Sequence, residues 1–150
     1  MKGVINMYKA IDIAKYVINR CISCNNPISN LQLQKILYYI QGKYIEVTNG
    51  ECLFEDKMEA WQYGPVVPEV YYLYSIYSST KITDNQICDK RIKEDVMNII
   101  DPVIDEKSRI SAWNLVQSSH KEIPWMNNYS EGEKREIPIS SLKQQFICRS

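Results

Sequence analysis

The 150 residues carry 18 basic and 18 acidic side chains, so the formal charge is zero; 45% of residues are hydrophobic and 24% charged. That balance is globular and argues against disorder, and the absence of a basic block leaves little to displace the counterions of a nucleic acid, so direct nucleic-acid binding is not expected. The length fits one domain, residues 1–150, with an ordered core expected over about 8–147.

No apolar run reaches the length of a membrane span, and Met1–Met7 lacks the apolar run and cleavage site of a signal peptide. A cytosolic, membrane-free protein is expected. The five cysteines, Cys21, Cys24, Cys52, Cys88 and Cys148, form an odd set that points to reduced thiols. Cys21 and Cys24 make a C-x-x-C pair, but no second pair completes a zinc site. The pair reads as helix-end thiols partly in the core.

Residues 9–22 predict a first helix from Ile11, Ala14, Val17, Ile18, Cys21 and Ile22 at helical spacing, stopped by Asn25-Asn26-Pro27. Ser29 with Gln32 forms a capping-box pattern that opens a second helix, running to about Thr48 before Asn49-Gly50. One stripe on it is Leu33, Ile36, Leu37, Ile40, Tyr44 and Val47; Leu31, Tyr38 and Ile45 lie roughly opposite, with Gly42 beside them. A helix apolar on two faces is read as the buried centre of the domain, the other reading being one core face and one partner face.

Residues 51–63 predict a small hairpin, with Cys52-Leu53-Phe54 and Met58–Tyr63 as arms and Gly64-Pro65 closing it. Pro68 and Glu69 suit the first turn of a third helix. Val70, Leu73, Tyr74 and Tyr77 would face the core, and Tyr72 and Ile76 would form an exposed apolar spot. Residues 84–106 predict a fourth helix on Ile92, Val96, Ile99, Ile100 and Val103, with Pro102 marking a kink or a fresh start. Ser111 caps a fifth helix through Ser119 that carries Trp113 and Leu115. Residues 120–129 read as irregular, 131–135 as a polar turn and 140–146 as a last short helix. The fold class is therefore mainly α (α+β): a single compact domain of five to six helices with a β-hairpin near residues 51–63.

Catalytic chemistry finds little support. Nucleophilic catalysis needs a positioned base, and His120 is the single histidine. The phosphate-cradling glycine motifs and the nucleophile elbow are absent. Glu55/Asp56 and Glu94/Asp95 are sequence neighbours, which do not face each other on a helix. No enzyme, metal or cofactor is expected. His120 reads as a buried imidazole bonded to backbone near Trp125, the alternative being a polar contact in a binding cleft. Aromatic residues crowd one segment, and aromatics anchor interfaces as well as cores. Trp61, Tyr63, Tyr71, Tyr72 and Ile76 are the candidate partner-binding residues.

Three tracts resemble one family. Leu31-Gln32-Leu33-Gln34-Lys35-Ile36-Leu37-Tyr38-Tyr39-Ile40-Gln41-Gly42 is similar to the L-K-L-Q-K-L-L-Y-Y-x-Q-G signature of the Panacea domain, found in SocA-like antitoxins and phage-associated proteins. Glu59-Ala60-Trp61-Gln62-Tyr63-Gly64-Pro65-Val66, continuing to Val70-Tyr71, resembles the second motif of that family, and His120-Lys121-Glu122-Ile123-Pro124-Trp125 resembles its H-x-E-x-P-W motif. The resemblance implies a mostly helical fold with a small β element. It also implies an antitoxin of a bacterial or prophage toxin–antitoxin pair that binds and neutralises a cognate toxin. The alternative is a phage-associated accessory protein or an adaptor for a cellular protease. Gln41, Gly42, Gly64, Pro65, His120, Pro124 and Trp125 are implied to be architectural. The extra helix-turn-helix of some members is not expected here, and Pro102 and Asn114 depart mildly from the family pattern.

Overall fold

The second helix of the chain is enclosed by the others, as its two apolar stripes predict. A computed structural model describes residues 8–147; the N-terminal heptapeptide and Cys148 lie outside the described residues. Among the described residues seven helices run in chain order: α1 (Ala10–Ser23), α2 (Asn30–Thr48), α3 (Pro68–Leu73), α4 (Glu94–Lys107), α5 (Ala112–His120), α6 (Ile123–Met126) and α7 (Ile139–Phe146). Three short strands, β1 (Met58–Trp61), β2 (Gly64–Val66) and β3 (Arg135–Ile137), form an antiparallel sheet in the order β2-β1-β3. The class is mainly helical α+β. Among the described residues no helix is long and apolar enough to cross a membrane.

Helix α2 begins at the expected capping box: the Gln32 amide N–H donates to Ser29 Oγ (3.2 Å) and the Ser29 N–H to Gln32 Oε1 (3.1 Å). It ends at Asn49, whose left-handed backbone (φ 59°) breaks the helix and suits an asparagine. Leu33, Ile36, Leu37, Tyr38, Ile40 and Ile45 are buried, and so are Gln34, Lys35 and Gln41. Gly42 is where α7 crosses, since a Cβ there would lie 2.3 Å from the Phe146 ring. Val47, assigned above to the core stripe, is half exposed in the last turn.

Helix α1 packs on α4 through its apolar face and a polar clasp. Arg20 grips Asp105 with two bonds of 2.9 Å and Asp101 at 3.3 Å, and the Tyr16 hydroxyl donates to Asp101 (2.7 Å). The C-x-x-C pair ends α1 as expected. Cys21 is buried, which pushes its thiol up to about 11, and Cys24 is exposed. Cys21, Cys24, Cys52 and Cys88 are free thiols.

The hairpin is shifted along the chain from its expected position. Residues 52–54 do not pair with 58–61, because the Gln41 side chain takes their backbone groups. The Leu53 N–H donates to Gln41 Oε1 and Gln41 Nε2 donates to the Phe54 carbonyl, each at 2.8 Å. The hairpin is instead β1–β2, with Trp61 opposite Gly64 and Gln62-Tyr63 as the turn. Pro65 sits inside β2, an edge strand where its missing N–H costs no ladder bond.

Further expectations are corrected. Helix α4 starts at Glu94 rather than 84, because tertiary bonds hold the preceding segment in an irregular course: Asn19 exchanges bonds with the Gln86 backbone (2.7 and 2.9 Å), and Tyr74 bonds the Gln86 side chain (2.8 Å). Helix α4 then passes through Pro102, which faces solvent, so the carbonyl of exposed Asn98 that loses its donor is open to water. Residues 123–126 form a helical turn and 135–137 a strand, where irregular and turn structure was expected. Leu73 is more than half exposed instead of core-facing, since α3 stops there and gives way to a 3-10 turn at Ser75–Tyr77.

Gly64 combines φ +108° with a closed site, a Cβ there falling 2.6 Å from Lys35 Cε and 2.7 Å from Ser119 Oγ. Gly132 has φ +82° and open space around it. Gly64→Ala should therefore lower the unfolding free energy by about 2–4 kcal/mol, through backbone strain plus overlap, and Gly132→Ala by about 1 kcal/mol through strain alone. Urea denaturation of both variants checks this; equal losses would show that the overlap at Gly64 relaxes freely.

Candidate functional site

The three recognised tracts meet in space, and the buried polar side chains of α2 join them. Lys35 Nζ donates to the Pro65 carbonyl (2.8 Å), and Gln34 Oε1 accepts from the Val67 N–H (2.9 Å). Tyr38 and Tyr39, adjacent on α2, both donate to the Glu122 carboxylate (2.7 and 3.2 Å). From the third tract, Trp125 Nε1–H donates to the Trp61 carbonyl (2.7 Å) and His120 Nε2–H to the Gln62 carbonyl (3.2 Å). His120 and Trp125 stack with centroids 3.8 Å apart, and Trp125 stacks on Tyr129 at 4.6 Å. Pro124 is buried at the start of α6.

This arrangement perturbs the ionisable groups it encloses. Burial holds Lys35 down to about 7, because desolvation penalises an ammonium that has a carbonyl for its partner. Burial and the Glu122 charge both push Tyr38 and Tyr39 up, so these phenols stay protonated donors. Desolvation lowers His120, helped by the nearby Lys35 charge and opposed by its bond to Gln62. The serines beside His120 spend their hydroxyls on helix carbonyls: Ser118 on Asn114 (3.0 Å) and Ser119 on Val116 (2.9 Å). Among the described residues no group of three or more His, Cys, Asp or Glu could hold a metal.

The candidate partner residues lie outside this cluster. Trp61, Tyr63 and Tyr71 line an open cleft of about 760 Å³, together with Asn30 and Leu31 of α2 and the Tyr129–Lys134 side. Tyr72 stands at the same cluster, its ring centroid 5.5 Å from Tyr71 and 5.9 Å from Trp61. Trp61 and Tyr71 are half buried against each other, edge to face at 4.9 Å. Tyr72 and Ile76 are exposed, as their helix phase implies, at 58% and 84%. Ile76 does not line the cleft; it projects from the 3-10 turn after α3, and Leu73 adds to the apolar surface there.

Sequence reasoning missed the polar half of the cleft, namely Glu131, Glu133 and Lys134. The alternation Glu59-x-Trp61 hints at a sheet face, since Met58 and Ala60 are the buried positions. Nothing in residues 131–137 resembles a strand strongly enough to place Lys134 against it.

The profile of the family described as "Antitoxin SocA-like, Panacea domain" matches residues 33–126. The chain is also similar to a curated protein, Antitoxin SocA of Caulobacter vibrioides (strain NA1000 / CB15N), at 32% identity over 130 residues, covering 75% of this chain and 66% of the relative. It thus spans just under two thirds of that relative's length. No solved structure matches. The matched span contains most of α2, the hairpin, α3 and the His120–Trp125 tract, and ends before β3.

Lys35 makes a pH signature. Unfolded, its ammonium titrates near about 10.4; folded, near about 7. Between these values the unfolded chain binds the extra proton, so stability rises with pH and is lost as pH falls toward 7. Lys35→Met should remove up to about 1.4 kcal/mol per pH unit of that slope between roughly pH 7.5 and 9.5. Chemical denaturation at fixed ionic strength reads the difference between the two proteins; parallel slopes would mean that Lys35 keeps an ordinary ammonium in the fold.

Proposed function

We propose, from the premise that the chain belongs to the SocA-like antitoxin family carrying the Panacea domain, that it is the antitoxin of a bacterial or prophage toxin–antitoxin pair, acting in the cytosol. It neutralises a partner toxin by direct protein–protein binding. The observation that carries this reading is the family match across residues 33–126. The similarity to a protein named Antitoxin SocA agrees with it.

The structure supports binding as the mode of action. The tract residues most suggestive of chemistry, Lys35, Tyr38, Tyr39, His120 and Glu122, are occupied in holding α2, the hairpin and α6 together. The exposed aromatic and apolar residues around α3 stand outside that network. Trp61, Tyr63, Tyr71, Tyr72 and Ile76 form the proposed toxin-facing surface, with large, rigid contact area that costs little side-chain entropy on binding. Gln41, Gly42, Gly64, Pro65, His120, Pro124 and Trp125 are proposed to act as its scaffold.

Growth rescue tests the reading. Induction of the open reading frame beside this one should arrest a bacterial host, and co-expression of this protein should restore growth and yield a co-purifying complex. Arrest without rescue would overturn the antitoxin reading, and a complex without any toxicity would favour an accessory or protease-adaptor role. Within the rescuing pair, Tyr72→Ala combined with Ile76→Ala should weaken the complex by at least about tenfold, as expected for two interface anchors. Both side chains are exposed, so the circular dichroism spectrum should not change. Unaltered affinity would move the toxin-facing surface elsewhere.

A further inference from the structure

The aromatic cluster beside the cleft already holds a cation. Lys134 Nζ lies 4.4 Å from the Trp61 ring centroid and 5.9 Å from that of Tyr72, and it donates to the Tyr72 hydroxyl at 3.2 Å. Trp61, Tyr71 and Tyr72 pack mutually, with centroids 4.9, 5.9 and 5.5 Å apart, and leave ring faces for an ammonium. Such faces attract a cation within about 6 Å. The sheet register explains how Lys134 arrives: Ala60 pairs with Arg135 and Glu59 with Glu136, which continues to set Trp61 opposite Lys134.

The same register concentrates negative charge. Glu59 and Glu136 stand directly opposite each other on the face that carries Trp61, and like charges in that position repel. Glu59 accepts from Trp61 Nε1–H (2.8 Å), which orients the indole. Glu131 and Glu133 line the cleft; Glu133 is paired with Arg135 (2.7 Å). Among the described residues neither Glu59 nor Glu136 has an ion pair, and Lys134 is the one basic side chain lining the cleft.

We propose that the Trp61–Tyr71–Tyr72 cluster is a receptor for a basic side chain of the partner protein, and that Lys134 is the internal occupant this side chain displaces. The proposal rests on the binding reading above and adds the chemistry of the partner: an arginine or lysine presented to an aromatic cage with acidic neighbours. An apolar partner residue would fill the cage but leave the Glu59–Glu136 repulsion uncompensated. An incoming cation takes over the positive charge that Lys134 supplies on this face and frees Lys134 toward solvent.

The test uses the full chain and a small probe, Nα-acetyl-arginine amide, with the neutral isostere Nα-acetyl-citrulline amide as control. Binding is read from the indole N–H resonance of Trp61 in nitrogen-15 NMR. Lys134→Ala empties the cage, so this variant should bind the arginine probe at least about fivefold more tightly than wild type, and citrulline should not compete. Tyr72→Leu in the Lys134→Ala background should lose the gain; because Tyr72 is exposed, the fold tolerates this change. No gain in Lys134→Ala, equal binding of citrulline, or a response confined to Trp113 and Trp125 would each overturn the proposal. The probe involves no toxin, so growth rescue with a silent cage would sink this inference alone, and a responsive cage without rescue would sink the antitoxin reading alone.

Discussion

A helix buried along most of its length must find partners for every polar group it carries inward, and α2 carries the amides of Asn30, Gln32, Gln34 and Gln41 and the Lys35 ammonium. Gln34, Lys35 and Gln41 each bond main chain, and Gln34 Nε2 also donates to Asn30 Oδ1. Each main-chain bond pins a segment that has little regular structure of its own. Gln41 holds residues 53 and 54 as a surrogate strand, Lys35 holds the carbonyl of Pro65, and Gln34 holds the N–H of Val67 just before α3. An orphaned buried donor costs about 1–3 kcal/mol, so these segments cannot drift without penalty. The hairpin and the start of α3 are therefore placed by the central helix.

That arrangement separates two kinds of residue on the same short tracts. Glu59 and Trp61 alternate with Met58 and Ala60, so one strand supplies core on one face and cleft on the other. The Trp61 carbonyl is gripped by Trp125 while its indole looks outward. On α3 and its cap, Val70 and Tyr74 are buried while Tyr72 and Leu73 are exposed. Side chains on the outer set can change without unfastening the inner one.

Local signals made much of this legible. The capping box at Ser29 and Gln32, the C-terminal stop at Asn49 and the apolar spacing of α1 and α2 are written in neighbours, and the structure follows them. The exposure of Tyr72 follows from helix phase, whereas Ile76 is exposed on the 3-10 turn that replaces the expected last turn of the helix. What sequence did not disclose depends on distant partners. Residues 84–93 have a helical look that Asn19 and Tyr74 override with backbone and side-chain bonds. Residues 52–54 look like a strand and are held like one, but by the amide of Gln41. Strand β3 is too short and polar to announce itself, so Lys134 could not be placed beside Trp61. Leu73 and Val47 satisfy the period yet sit where their helices run out of cover.

The bonds that close the α2 network span very different stretches of chain: Gln41 reaches 13 residues ahead to Phe54, Lys35 reaches 30 to Pro65, and Tyr38 reaches 84 to Glu122. On a ribosome these partners emerge in sequence. At elongation rates of about 5–20 residues per second, Glu122 follows Tyr38 by roughly 4 to 17 s. For the later part of that interval a nascent chain carries the residues of α2 and the hairpin but no acceptor for the two phenols and no indole to hold the hairpin turn. The exposed face of the hairpin is thus set late in synthesis, and a chain halted before Trp125 would lack the clamp that shapes it.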